Sequence, residues 1–126
     1  MARRDITLDH SQIHIKNLRL RTYIGLNADE QTKLQDVVIG IWVDYDARAA
    51  ASQDAVEHAL NYKAITKQVI ALVENNRFLL LEKLVFDVLD LVLAFDGVKR
   101  AIVEVDKPHA LRFADSVSLS MAASRR

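Results

Sequence analysis

The apolar residues of this chain recur at two different periods, and the changes from one period to the other outline the elements. Ile13-His14-Ile15 alternates, and after a slip at Asn17 the alternation resumes through Leu18-Arg19-Leu20-Arg21-Thr22-Tyr23-Ile24. A change of phase inside one alternating run predicts a long strand interrupted by a bulge. Gly25 through Lys33 is polar and predicts a loop. Val37 through Tyr45 predicts a second long strand, apolar on one whole face and on part of the other. Helical spacing follows. Tyr62, Ile65, Val69 and Leu72 fall on one face of a helix beginning near Asn61, a residue type suited to the N-cap. Asp54-x-x-Glu57 predicts a short capped turn ahead of it. A second helix runs from about Phe78 to Leu93 and ends near Gly97. Two strands close the chain: Ala101, Val103 and Val105 share a face with Lys107, and Val117, Leu119 and Met121 oppose Ser116, Ser118 and Ser120.

The predicted order is ββααββ with the helices grouped in the middle. This is an α+β domain, an antiparallel sheet covered by two helices on one face. With no linker, and only three glycines and one proline, residues 1–126 read as one domain, the first ten or so forming a flexible N-terminal tail. Two helices leave the other sheet face and the sheet edges uncovered, and strand edge meeting strand edge between copies is the expected remedy.

Composition narrows the function classes. At 126 residues and 51% hydrophobic content the chain has material for one real core. Seventeen basic and seventeen acidic side chains cancel, so no global field points to nucleic acid or a membrane surface. Without cysteine there is no disulfide, thiolate nucleophile or cysteine zinc site. The start, Met1-Ala2-Arg3-Arg4-Asp5, is basic, but no apolar stretch follows as in a secretory signal, and no segment nears the roughly 20 apolar residues of a spanning helix. The expectation is a soluble cytoplasmic protein. His10, His14, His58 and His109 lack metal-ligand spacing, and no glycine-rich phosphate loop, dinucleotide fingerprint or nucleophile elbow is present. A site here would be built from Glu, Lys and Tyr, which suits proton transfer without metal or cofactor.

Two charged residues sit on apolar faces. Helical steps from Glu82 land on Val85, Phe86, Leu89 and Leu93, whereas the solvent stripe runs through Lys83, Asp87 and Asp90. Glu82 is thus expected on a face meant for burial, where it needs a protein cation, helix-start amides or a flat ligand with adjacent N–H donors. Lys107 ends the apolar face of its strand just before Pro108, which should stop strand pairing. It is either a lysine snorkelling from a strand end or a desolvated ammonium placed to hold a proton. Tyr62, in the first turn of its helix, reads as a core aromatic with its hydroxyl at the surface, and Glu30 as a solvated loop acid. His109 and Arg112 form local positive density, a charged loop or a phosphate contact.

Together these residues resemble one family over nearly the whole chain. Thr22-Tyr23-Ile24-Gly25, Glu30, Gln35, Leu60-Asn61-Tyr62, Leu80-Leu81-Glu82-Lys83-Leu84 and Val105-Asp106-Lys107 occur in the order seen in the dihydroneopterin aldolase/epimerase family. Ile15 to Arg21, Val73 to Phe78 and His109 to Ser118 look like its epimerase branch. The resemblance implies the tunnelling fold, whose ββααββ subunits join into ring barrels, with two tetrameric rings stacking into an octamer and active sites between neighbours. It implies that Glu82, with the backbone of Leu81, grips the donor edge of a pterin. It also implies that Tyr62, next to Asn61, reaches in from an adjacent subunit, and that Lys107 and Glu30 serve catalysis. The implied reaction is epimerisation at C2′ of 7,8-dihydroneopterin triphosphate, by metal-free retro-aldol and aldol steps, with weak aldolase activity beside it. The alternatives are an aldolase releasing 6-hydroxymethyl-7,8-dihydropterin and glycolaldehyde, and a catalytically silent pterin-binding ring. Arg112, His109, Arg77 and Lys16 are the candidate triphosphate contacts.

Overall fold

A computed structural model describes residues 5–126; residues 1–4 of the expected N-terminal tail lie outside the described residues. The elements are β1 (Gln12–Ile24), α1 (Ala28–Thr32), β2 (Gln35–Tyr45), α2 (Arg48–Gln53), a single 3-10 turn at Val56–His58, α3 (Tyr62–Glu74), β3 (Arg77–Phe78), α4 (Leu81–Leu93), β4 (Val98–Pro108) and β5 (Ser116–Ser124). The sheet order is β3-β1-β2-β4-β5, antiparallel throughout except for the two-residue pairing of β3 with β1. The long elements keep the predicted ββααββ order. The bulge in β1 falls where the alternation slips: the β1–β2 register shifts between Ile15 and Leu18, and Asn17 sits at φ 52. Asparagine is among the few residues that take this left-handed conformation cheaply.

The core lies between the sheet and the two long helices. Val37, Ile39, Ile41 and Val43 of β2 and Ala101, Val103 and Val105 of β4 are buried at every second position. Against them pack Ile65, Val69 and Val73 of α3 and Leu84, Val85, Val88, Leu89 and Val92 of α4. Among the described residues the opposite face of the sheet carries no long helix, and β5 forms an open edge. Asn61 caps α3, its side-chain oxygen accepting the Ala64 N–H at 3.0 Å.

Several local expectations change. The polar stretch Gly25–Lys33 holds the short helix α1, started by Asn27, whose side chain accepts the Glu30 N–H while the Glu30 side chain accepts from the Asn27 N–H. Asp54 does not cap the following turn; it closes α2 in a left-handed conformation at φ 50, and the 3-10 turn has no side-chain cap. Pro108 does not stop pairing: it is the last residue of β4 and stands opposite Ser116. The residue before a proline favours extended backbone, so Pro108 suits a strand terminus better than an interior. The second helix begins at Leu81 because Arg77 and Phe78 are used as β3 beside Tyr23 and Ile24.

Among the described residues the one buried polar side chain is Thr22, and it closes the C-terminal end of α3. Its hydroxyl lies 2.7 Å from the Val73 carbonyl and 3.1 Å from that of Asn76, acceptors with no partner inside the helix. Replacing Thr22 by the near-isosteric valine would take this donor from the buried contact with the Val73 carbonyl. We expect Thr22→Val to lower stability by about 1–3 kcal/mol, measured as a shift in the urea midpoint at unchanged m-value.

Candidate active site

The ammonium of Lys107 donates to Glu30 Oε2 at 2.6 Å, across 77 residues of chain. The lysine side chain is only 14% exposed and the glutamate 24%, so neither is a freely solvated surface charge. Strand alternation explains the lysine: Val103, Val105 and Lys107 point toward the helices, and the apolar floor ends where the ammonium begins. Its nitrogen turns into the protein and finds a carboxylate rather than snorkelling outward. The hydrogen bond from Lys107 is the largest cause holding the Glu30 carboxyl below its ordinary value of 4.5, against partial burial and with help from the Asn27 and Leu26 amides.

Glu30 is fixed by its own helix. Its Oε1 accepts the amides of Leu26 and Asn27 at 3.2 and 3.4 Å, while Oε2 takes the lysine. Gly25 makes room for this: its φ is +136, and a Cβ added there would fall on the Glu30 carboxyl group. The Gly25 amide donates to Phe78 O at 3.0 Å, and Gln35 Nε2 donates to Ile24 O at 2.6 Å, tying the loop to the sheet end. Arg77 completes the brace, donating to Gln31 O at 2.8 Å with its guanidinium 3.9 Å above the Tyr23 ring. Asn27 and the structural part of Gly25 were missing from the sequence reading, although Asn27-x-x-Glu30 is a readable capping signal.

Glu82 departs from expectation. It is exposed, and the buried stripe of α4 is Leu84, Val85, Val88, Leu89 and Val92. Its i+4 neighbour Phe86 is 54% exposed, and Leu79 and Leu80 just before it are 58% and 50% exposed. Glu82 therefore stands on an apolar face that its own protomer leaves open. It has no ion-pair partner among the described residues. Leu80 supplies no side-chain cap, so the first-turn amides of Leu81 and Glu82 remain available to another acceptor. Because β3 and the Gly25–Phe78 hydrogen bond anchor this segment beside the end of β1, Glu82 lies at the Lys107 end of the sheet.

Tyr62 and Asn61 lie at the other end. Leu60 lines a cavity together with Val98 at the start of β4, and Lys107 is nine residues further along that strand, about 30 Å away at some 3.3 Å per residue. The helix gives the same answer: Val73, beside Thr22, and Tyr62 are separated by about 17 Å of α3. Tyr62 is half-exposed, with Val56, Ala59 and Leu60 around it, and is no core aromatic. One protomer thus gathers Lys107, Glu30, Glu82 and Leu81 at one pole and presents Asn61 and Tyr62 at the other.

The four phosphate candidates scatter. Lys16 is an exposed residue of the β1 bulge, Arg77 is engaged with Gln31 and Tyr23, and Arg112 lies 5.6 Å from the Phe113 ring in the β4–β5 loop. His109, at φ 62, lines a cavity with Arg19 and Arg21.

With this geometry in view, comparison with known proteins is informative. The chain is 50% identical over 115 residues to a dihydroneopterin triphosphate 2′-epimerase of Pseudomonas aeruginosa, covering 91% of this chain and 94% of that one. It is 34% identical over 107 residues to a dihydroneopterin aldolase of Escherichia coli, covering 85% and 88%. The solved structure of Escherichia coli dihydroneopterin aldolase in complex with neopterin superposes with a TM-score of 0.85 at 32% identity, covering 90% of this chain and 99% of that one. Residues 13–122 match the dihydroneopterin aldolase family, so β1 through most of β5, with the paired lysine and glutamate at the sheet end, belong to a member of that family.

Proposed function

We propose that the protein epimerises C2′ of 7,8-dihydroneopterin triphosphate, giving 7,8-dihydromonapterin triphosphate, in a cytoplasmic ring of eight subunits whose active sites span neighbouring protomers. The observation that carries this reading is the division of the candidate residues: a lysine–carboxylate pair 2.6 Å apart and an open glutamate at one pole, a half-exposed tyrosine at the other. The higher identity to the epimerase than to the aldolase favours isomerisation over cleavage.

Glu82 meets the flat amide-amidine edge of the pterin, accepting two N–H donors on its two oxygens, while the free backbone amide of Leu81 serves the ring carbonyl. Burial of Phe86, Leu79 and Leu80 by a neighbour would dry this contact and strengthen it. A base removes the C2′ hydroxyl proton; Glu30, Tyr62 and a bound water are the candidates. The C1′–C2′ bond breaks, its electron pair forms the C6=C1′ double bond, and the electrons of the ring C=N accept a proton at N5. Lys107 supplies that proton, directly or through water, and its pairing with Glu30 fixes where the ammonium points. The aldehyde fragment then turns and the bond re-forms on its other face, returning the N5 proton and inverting C2′. Release of the aldehyde instead of re-addition is the aldolase outcome from the same intermediate.

Incubation with dihydroneopterin triphosphate, followed by chiral chromatography, should give the monapterin isomer; glycolaldehyde without isomer from dihydroneopterin would make the aldolase the main activity. Glu82→Ala should weaken pterin binding about 100-fold, as loss of a charge-assisted contact of about 2.7 kcal/mol, read by pterin fluorescence titration. Lys107→Gln should abolish turnover with assembly intact by sedimentation. It should also raise the Glu30 titration midpoint, followed by carboxyl ¹³C NMR, back toward 4.5. Since the folded value is the depressed one, the pair's contribution is full above 4.5 and disappears as pH falls through the lowered midpoint. Mixing inactive Tyr62→Ala and Lys107→Ala chains and reassembling them should restore about a quarter of the activity, as random pairing across a shared interface requires; no recovery would place the whole site in one chain.

A further inference from the structure

At the Lys107 end of the sheet, on the face turned away from α3 and α4, a cavity of about 410 Å³ is lined by Arg19, Leu20, Arg21, Asp36, Val37, Val38, Pro108 and His109. Arg19 and Arg21 alternate with the buried Leu20 and Thr22, so their stems rise from the helix-free face. The cross-strand pairs Arg19–Val38 and Arg21–Asp36 set the two guanidinium groups two residues apart along the same side. Asp36 is the only acid in the lining, and Arg21 already engages it at 3.3 Å. The side chains of Arg19 and His109 have no hydrogen-bond or ion-pair partner among the described residues. Asp106 is on the same face and in the same cross-strand row as Arg19 and Val38, outside the lining.

We propose that this cavity holds the polyphosphate chain of the substrate and thereby decides whether the cleaved fragment is re-added or lost. The inference rests on the function proposed above, and deepens it. Pro108 directly follows Lys107, so the cavity lies at the same end of the sheet as the residue beside which C2′ must react, around the strand end from the face toward which Lys107 points. In a triphosphate ester the phosphates hang from C3′, the next carbon. After C1′–C2′ cleavage they stay on the aldehyde fragment, while the pterin remains on Glu82. A grip on the phosphates therefore acts on the half of the substrate that Glu82 cannot hold. The chemistry suits a polyanion: an unpaired guanidinium and an imidazole line the space beside a second guanidinium that is shared with Asp36 and the Leu34 carbonyl. Of the four candidate phosphate contacts, only His109 belongs here; Arg19 and Arg21 are new. No bond to phosphorus is made or broken, so these are binding and positioning residues.

The test uses the intact assembly with Arg19→Ala, Arg19→Lys and His109→Ala. Inorganic tripolyphosphate should compete with substrate on the wild type, and about tenfold less well on each alanine variant, with Arg19→Lys partly restored. With dihydroneopterin triphosphate, the alanine variants should release more 6-hydroxymethyl-dihydropterin per monapterin isomer formed than the wild type does, a partition that a merely structural residue would leave alone. Equal tripolyphosphate inhibition and an equal product ratio in the wild type and both alanine variants would overturn the assignment. A wild type that forms no isomer would instead overturn the proposed reaction, and tripolyphosphate binding by wild type and variants would then decide on the cavity by itself.

Discussion

One carboxylate joins the folding of the sheet end to its proposed chemistry. Glu30 accepts two loop amides with one oxygen and the Lys107 ammonium with the other, and each contact constrains the rest. The glycine at position 25 is needed because the carboxyl group occupies the space a side chain would fill. The braces from Gln35 and Arg77 keep the loop from swinging the acid away from the lysine. A lone acid–lysine pair at a surface contributes little to stability. This pair matters because both members are partly withdrawn from water and one orients the other.

The second constraint is geometric. An 11-residue strand and a 13-residue helix separate the poles of the protomer, and the candidate residues are shared between them. The apolar surface left open around Leu79, Leu80 and Phe86 surrounds Glu82, so the acid is exposed in a setting suited to association. What looks in one chain like a misplaced charge beside greasy residues would become, at the proposed seam between copies, a carboxylate in a dry groove.

Much of this was legible in the sequence. Strict alternation placed the buried rows of β2 and β4, and the slip at Asn17 placed the bulge, because a period of two admits only one assignment of faces. The lysine at the end of an apolar row was visible for the same reason. Glu82 was misassigned because α4 is apolar nearly all round. Positions three and seven residues on, Val85 and Leu89, are buried under the sheet, while Phe86, four on, is not. Periodicity cannot divide such a helix between its own core and a partner. The helix α1 was hidden for the opposite reason, since it has no buried residue and only its cap announces it. The link from Glu30 to Lys107 spans most of the chain, and only the resemblance to a known family had joined them beforehand.

A five-residue helix has no independent stability, since so few residues cannot repay the nucleation of the first turn. The oxygen that caps α1 and the oxygen that meets Lys107 belong to the same side chain, so fraying of that single turn and misalignment of the ammonium are one event. A turn too short to stand alone is thereby wired to the proposed chemistry, and its loosening would silence that chemistry while the sheet and both long helices still stand.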